Sequence, residues 1–325
     1  MFVPAESVMD AVQKSLDRLR SATKSQAKPR IVVRQFAGPA AFKEQLSHLR
    51  VVHLTDQHVG RITPLKTQLD AVARANEQKP DLVVITGDFV CHSQAYLDQL
   101  AQVVKAFDAP VMGVLGNHDH WSGAKEVCQT LTGAGVEMLN NAHTVIHLRG
   151  QALQVVGLDD AYTGHANRQK ATKGLRPDLP TIGLSHIAEQ ANGLWAKGIP
   201  LVLSGHTHAG QITLAGLHEI ALGKMVGHQY VHGLYGSRKS VGPRPAGAVY
   251  VGAGIGASVM PFRLGERAQS EITVFELGHA PAVFHEHHDE QQPLLGRKPS
   301  AKIQARRTAK VRRKQVKRER QAKQG

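Results

Sequence analysis

Asp56, His58, Asp88, Asn117, His186, His206 and His208 stand out by type and position, because each lies just past a short apolar run. Asp56-Gln57-His58 follows the run 49–54, and Gly87-Asp88 follows 82–85. Gly116-Asn117-His118-Asp119 follows 111–115, Ser185-His186 follows 182–184, and Gly205-His206-Thr207-His208 follows 201–203. Carboxylate, imidazole and amide oxygen without thiolate form the donor set of borderline or hard divalent ions: Mn, Fe, Zn, Ni or Mg. A single Asp-x-His or His-x-His is ordinary surface or core material; Asp56 alone would cap a helix and Asn117 alone would turn a loop. Several such elements in order, each at the end of an apolar run and spaced 32 residues from 56 to 88 and 29 from 88 to 117, are not ordinary.

The apolar runs must position these side chains. Short and rich in Val, Ile and Leu, they read as buried strands, with further strands at 153–156, 248–251 and 271–277. Between the first two runs, Leu65, Leu69, Val72 and Ala73 recur at helical spacing, and 96–107 repeats the pattern. Strands alternating with helices indicate an α/β domain with a partly parallel sheet. Ligands gather outside the carboxyl ends of such strands, so the loops converge on one crevice. Glycine just before several of the candidate ligands lets the backbone turn sharply there. Residues 246–262 carry no charge, but Gly247, Gly252, Gly254 and Gly256 break them into strand and loop. The run 252–257 resembles a dinucleotide fingerprint; with no helix expected after it and Pro261 intruding, it is not read as one.

The order DxH, GDxx, GNHD, a later single His and GHxH resembles the calcineurin-like metallophosphoesterase superfamily over residues 49–277. The strings TDQHVG, LVVITGDFV, GVLGNHDHW, LSHIAE and SGHTHAGQI resemble its YkuE/YaeI-like phosphodiesterase branch more closely. Ala209 departs from the glycine expected in GHTHGGQ. The resemblance implies a four-layer α/β/β/α sandwich of two mixed sheets and two divalent metal ions, with Mn favoured. Asp56, His58, Asp88 and His208 would hold one ion, and Asp88, Asn117, His186 and His206 the other, with Asp88 bridging. Two such ions share a water, hold it as a bridging hydroxide near neutral pH and stabilise the charge that builds on phosphorus. His118 would donate to the substrate or leaving oxygen, oriented by Asp119. Asp159, Asp160 and Arg263 are expected near the crevice, whereas His53, His92, His120, His143 and His147 are assigned nothing.

Composition limits the setting. The chain has 325 residues, 42% hydrophobic and 20% charged, which excludes a wholly disordered or fibrous protein. Cys91 and Cys128 form no CxxC pair and fit a reducing compartment. No stretch approaches the ~20 apolar residues of a membrane span, and the start lacks the order of a signal peptide. Lys and Arg total 40 against 26 acids. Residues 297–325 hold 13 of the basic residues and one acid, Glu319, so the excess belongs to a tail. Such a block reads as disordered and suited to anionic lipid headgroups or nucleic acid. The expected organisation is an amphipathic helix and linker over 1–30, the catalytic domain over 31–280, and a disordered tail over 281–325. The expected function is hydrolysis of a phosphodiester or pyrophosphate in a lipid-linked substrate, with UDP-2,3-diacylglucosamine as candidate, in the cytoplasm or peripherally on the inner membrane face. The alternatives are a nuclease or nucleotide phosphodiesterase whose tail binds nucleic acid, and a non-catalytic metal-binding scaffold.

Overall fold

Successive side chains on a strand point to opposite faces, so a strand apolar on both faces needs a packed layer on each side. The run 49–54 is such a strand: Val51 enters one buried cluster and Val52 another. The computed structural model describes residues 31–210, 227–240, 245–257 and 269–294, with 243 and 309. The helix expected within 1–30, Arg263 and nearly all of the basic tail lie outside the described residues.

Strands β1 (Val32–Ala37), β2 (Leu49–Leu54), β3 (Leu82–Thr86), β4 (Val111–Val114) and β5 (Val136–Met138) belong to one sheet. Strands β6 (Ala142–Leu148), β7 (Gln151–Gly157), β8 (Thr181–Leu184), β9 (Leu201–Ser204), β10 (Gly233–Ser237) and β11 (Gly247–Val251) form the second, and β12 (Glu271–Leu277) returns to the first. The orders are β1-β12-β2-β3-β4-β5 and β10-β11-β9-β8-β7-β6. In the first, β2 to β5 are parallel and β12 runs antiparallel to β2. In the second, β7, β8, β9 and β11 are parallel, with β6 and β10 antiparallel at the edges.

Alternation along these strands sets the layers. Val51, Leu82 and Val84 of the first sheet meet Leu153, Val155, Ile182, Leu184, Leu201 and Leu203 of the second in the middle cluster. Val52, Val83 and Ile85 face outward onto helices α1 (Leu65–Glu77), α2 (Leu97–Lys105) and α3 (Asn117–Gly133), through residues such as Val72, Val103 and Leu131. Val156, Val202 and Val249 pack outward on Ala171, Ala191 and Leu194 of the short helical turns beyond the second sheet. Each fully buried Val or Leu contributes about 1.5–3 kcal/mol. The result is a four-layer α/β/β/α sandwich, as expected. Among the described residues, no helix is long and apolar enough to cross a membrane.

Two features differ from the sequence reading. Helix α3 carries polar residues in its first turn and Gly123 at φ 118°, which interrupts helical geometry, so its 3.6-residue period is broken. Residues 281–294, expected to begin a disordered tail, instead close the sandwich edge. Arg238, buried, donates to Glu286 Oε1 at 2.7 Å, to Glu290 Oε1 at 2.9 Å and to the Ala37 carbonyl at 2.7 Å. Gln291 exchanges backbone bonds with Leu234 and Gly236, and Ala37 N–H donates to Glu286. The segment thus covers the edges of both sheets, β1 and β10, a role that its polar, aperiodic sequence conceals.

Candidate metal centre

The loops after β2, β3, β4, β8 and β9 meet at one end of the sandwich. Asp56, His58, Asp88, His206 and His208 all have positive φ, between 47° and 78°. Such backbone costs on the order of 1–3 kcal/mol per residue and persists only where the surroundings enforce it. Close approach explains the glycines: a Cβ on Gly116 would lie 2.3 Å from Asp88 Oδ1, and one on Gly205 would lie 2.3 Å from Asp56 Oδ2. Ala209 sits buried at φ 51°, where the expected glycine would be unstrained.

All seven residues singled out come together. Donor atoms of Asp56, His58, Asp88 and His208 lie within 4.8 Å of one another, as do those of Asp88, His186 and His206. Asp88 Oδ2 is common to the two groups, 3.6 Å from His58 Nε2 and 3.4 Å from His186 Nε2. Asn117 Oδ1 joins the second group at 3.2 Å from His186 Nε2.

The donor set fits cations. His186 Nδ1–H donates to the Thr86 carbonyl at 2.7 Å, which leaves Nε2 facing Asp88 Oδ2, Asn117 Oδ1 and His206 Nδ1, the last at 3.2 Å. A proton or a cation must occupy that point. Burial opposes charge on His186, but the Asp88 carboxylate outweighs it and raises the pKa to about 10. Asp56 Oδ2 is satisfied by His206 N–H at 3.0 Å and Thr55 Oγ1–H at 2.8 Å, whereas the buried Oδ1 has no donor and lies 3.2 Å from His208 Nε2. Burial, with Asp56 beside it, pushes Asp88 above the usual carboxylate range despite His186. Burial and adjacent imidazoles hold His206 well below the usual histidine range, in its ligand-competent neutral form.

His118 lies beside the cluster, its Nε2 3.9 Å from Asp88 Oδ2. Burial first, then His58, His92, His208 and His186, keeps its ring neutral. The expected pairing with Asp119 is not present. Asp119 accepts Gly116 N–H at 2.9 Å and Val90 N–H at 3.1 Å, while His118 Nδ1 has no hydrogen-bond partner. Asp119 therefore caps α3 and ties the 116–119 turn to the loop after β3. Burial and the Asp88 charge raise its pKa to about 7.

Other sequence candidates fall nearby in supporting roles. Asp160 is buried and accepts Tyr162 N–H and Thr163 N–H, and Asp159 pairs with His120 at 2.7 Å. In the run 252–257, Ile255 N–H and Gly256 N–H donate to the carbonyls of Thr55 and Asp56, so it backs the cluster. His53, assigned nothing from sequence, is buried, and burial lowers its pKa to about 4. Sequence reasoning assigns no role to Trp121 or Tyr162, which end the strings GNHDHW and VGLDDAY and which the structure places beside His118 and His206.

Strand-end carboxylates and imidazoles arranged in this way make a site for divalent cations on a double-sheet sandwich. The calcineurin-like phosphoesterase family model matches residues 49–210. The chain is 30% identical over 221 residues to the phosphodiesterase YaeI of Escherichia coli K12, which spans 65% of this chain and 80% of that one. It is 30% identical over 234 residues to the metallophosphoesterase YkuE of Bacillus subtilis 168, spanning 70% and 78%. A transmembrane protein with a metallophosphoesterase domain from Bos taurus is 33% identical over 256 residues, spanning 73% and 54%. Among solved structures, TT1561 of Thermus thermophilus aligns at 16% identity with a TM-score of 0.42, over 64% and 91%. The chain belongs to the calcineurin-like metallophosphoesterase family and is a metal-dependent phosphoester hydrolase. The family is dimetal-dependent.

Proposed function

We propose that Asp56, His58, Asp88 and His208 hold one divalent ion, that Asp88, Asn117, His186 and His206 hold the other, and that the protein hydrolyses a phosphodiester or pyrophosphate bond in a lipid-linked substrate. The observation that carries the metal assignment is Asp88 Oδ2, shared by two groups of donors. Nitrogen and oxygen donors without thiolate suit Mn, Fe, Zn, Ni or Mg, and Mn is the ion we take from the family resemblance. A bound pair supplies Lewis acidity to the phosphoryl oxygens and lowers the pKa of a water. The chain's own residues do the rest. Asp88 keeps the two sites adjacent, and His206 N–H and Thr55 Oγ1–H fix Asp56. The neutral His118 imidazole offers an N–H to a phosphoryl or leaving oxygen, and Asp119 holds the turn that carries it.

The lipid-linked reading draws on charge and position. Leu294 N–H donates to the Gln229 carbonyl at 2.8 Å, and the neighbouring His228 ring is 5.4 Å from His206. The described chain therefore passes near the cluster at Leu294, three positions in sequence before the basic segment that starts at residue 297. A segment of that charge suits an anionic inner-membrane surface at ~1 kcal/mol per basic residue. The Bos taurus relative is named for a membrane location. UDP-2,3-diacylglucosamine is the candidate substrate. The test is UMP release by the Mn-loaded protein, with bis-p-nitrophenyl phosphate as a second substrate and Asp88→Asn as the blank. UMP release that disappears in Asp88→Asn supports the reading; diester turnover without UMP release removes that substrate.

A further inference from the structure

The side chains beside the cluster that hydrolysis leaves unused are aromatic. Trp121, three residues after His118 on α3, has its ring centroid 4.8 Å from His118 and lies nearly parallel to His92 at 5.9 Å and 24°. Tyr162, from the loop after β7, stands edge-on to Trp121 at 6.0 Å and reaches His206 at 5.3 Å. His228 continues the arc beyond His206. The arc thus runs from the His58–His118 side of the cluster to the His186–His206 side. Trp121 and Tyr162 are only partly buried and His92 is exposed. Tyr162 is held from behind, because the buried Asp160 carboxylate accepts its backbone N–H and that of Thr163. Trp195, by contrast, is committed to the fold: its Nε1–H donates to the Ala248 carbonyl at 3.2 Å.

Rings arranged around a phosphate site stack on a planar π-system for about 1–3 kcal/mol per base, a term that a methyl arm lacks. The geometry points to this arc as a stacking subsite for a nucleobase on one arm of the scissile phosphoester. The inference rests on the hydrolytic reading above and narrows its substrates to esters with a nucleoside arm. A nucleotide-linked lipid and a single-stranded polynucleotide end both supply that arm.

The test compares thymidine 5′-(p-nitrophenyl phosphate) with methyl p-nitrophenyl phosphate on the Mn-loaded full chain, since both lose the same leaving group. The expected ratio of kcat/KM favours the thymidine ester by about tenfold or more. It falls towards one in Trp121→Leu and in Tyr162→Leu, and the ratio cancels any general loss of folded enzyme. A ratio near one in the unaltered protein, or unchanged in both variants, overturns the subsite. Fluorescence gives a readout independent of turnover, because the chain has 2 tryptophans, Trp121 and Trp195. Thymidine 5′-monophosphate should quench Trp121, and quenching that persists in Trp121→Phe also overturns the assignment. Quenching without hydrolysis of either ester supports the subsite and refutes the hydrolytic reading. Hydrolysis without preference or quenching does the reverse. UDP-N-acetylglucosamine and a thymidine dinucleotide, offered as competitors, distinguish the two sources of the base.

Discussion

Glu271→Gln should destabilise the protein by about 3 kcal/mol and weaken its hold on metal. Glu271 is 2% exposed; its Oε1 accepts Tyr250 Oη–H at 2.8 Å and Ala253 N–H at 2.9 Å. Its Oε2 faces His232 Nε2 at 3.0 Å and Arg34 Nε, and Arg34 is itself buried. Burial alone would raise this carboxyl; His232 and Arg34, through charge and hydrogen bonds, outweigh it and hold the pKa well below the usual range. Glutamine keeps one acceptor oxygen for Tyr250 and Ala253, but its amide N–H then opposes Arg34. Removing one partner of a buried pair costs about 3–5 kcal/mol, and the surviving bonds put this case at the lower end. For a domain of this size that corresponds to a fall in Tm of roughly 6–12 °C. The loop held at Ala253 also supplies the N–H groups that bond Thr55 and Asp56, so Mn affinity should fall in parallel. Thermal and urea unfolding, with Mn titration, measure both effects. Lys66→Ala, which breaks an exposed helical pair, should stay within about 0.5 kcal/mol. The folded-state pKa of Glu271 is depressed, so its contribution is present above the unfolded value of about 4.3 and is lost as pH falls through the folded value. The difference between wild type and variant should therefore shrink in acid. A loss below about 1 kcal/mol, or a difference indifferent to acid, would refute the reasoning.

Asp119→Asn should cost about 2 kcal/mol in urea unfolding, because one amide oxygen cannot serve both Gly116 N–H and Val90 N–H. Its kcat should fall less than that of His118→Ala; equal loss with unchanged stability would restore the His118–Asp119 pairing. His120 has its pKa raised by Asp159, although burial opposes this, and Asp159 is lowered by His120 against the same opposition. The raised histidine stabilises fully below its unfolded pKa of about 6.5 and loses that contribution as pH rises through the folded value, while the lowered Asp159 requires pH above about 4. Hence His120→Gln should lower Tm more at pH 5.5 than at pH 8.5, and equal losses at both would count against the ion pair. Truncation after Gly296 should reduce sedimentation with anionic vesicles and leave turnover of a small soluble diester unchanged. Loss of that turnover would make the tail part of the catalytic unit.

Most of the strands and all seven cluster residues are legible in the amino-acid sequence, because both signals are local. A strand buried on two faces writes itself as an unbroken apolar run, and a ligand at its end follows within two or three residues. Edge strands such as β1 and β10 are half-apolar and leave weaker marks, and Gly123 hides helix α3. What the chain order does not convey is which acceptor meets which donor. Asp119 stands next to His118 in sequence, yet a helical turn sends their side chains apart and gives the carboxylate to two backbone N–H groups. Residues 281–294 show no helix or strand periodicity and so read as tail, but Arg238, some fifty residues earlier, binds Glu286 and Glu290 and lays them on the sheet edges. The aromatic arc joins helix α3 to the loop after β7, with Trp121 and Tyr162 41 positions apart. Residue types and local periodicity determined the chemistry available and the scaffold for it. Only tertiary packing decided the pairings, because burial makes most donors and acceptors find a partner among groups that the chain brings from far away.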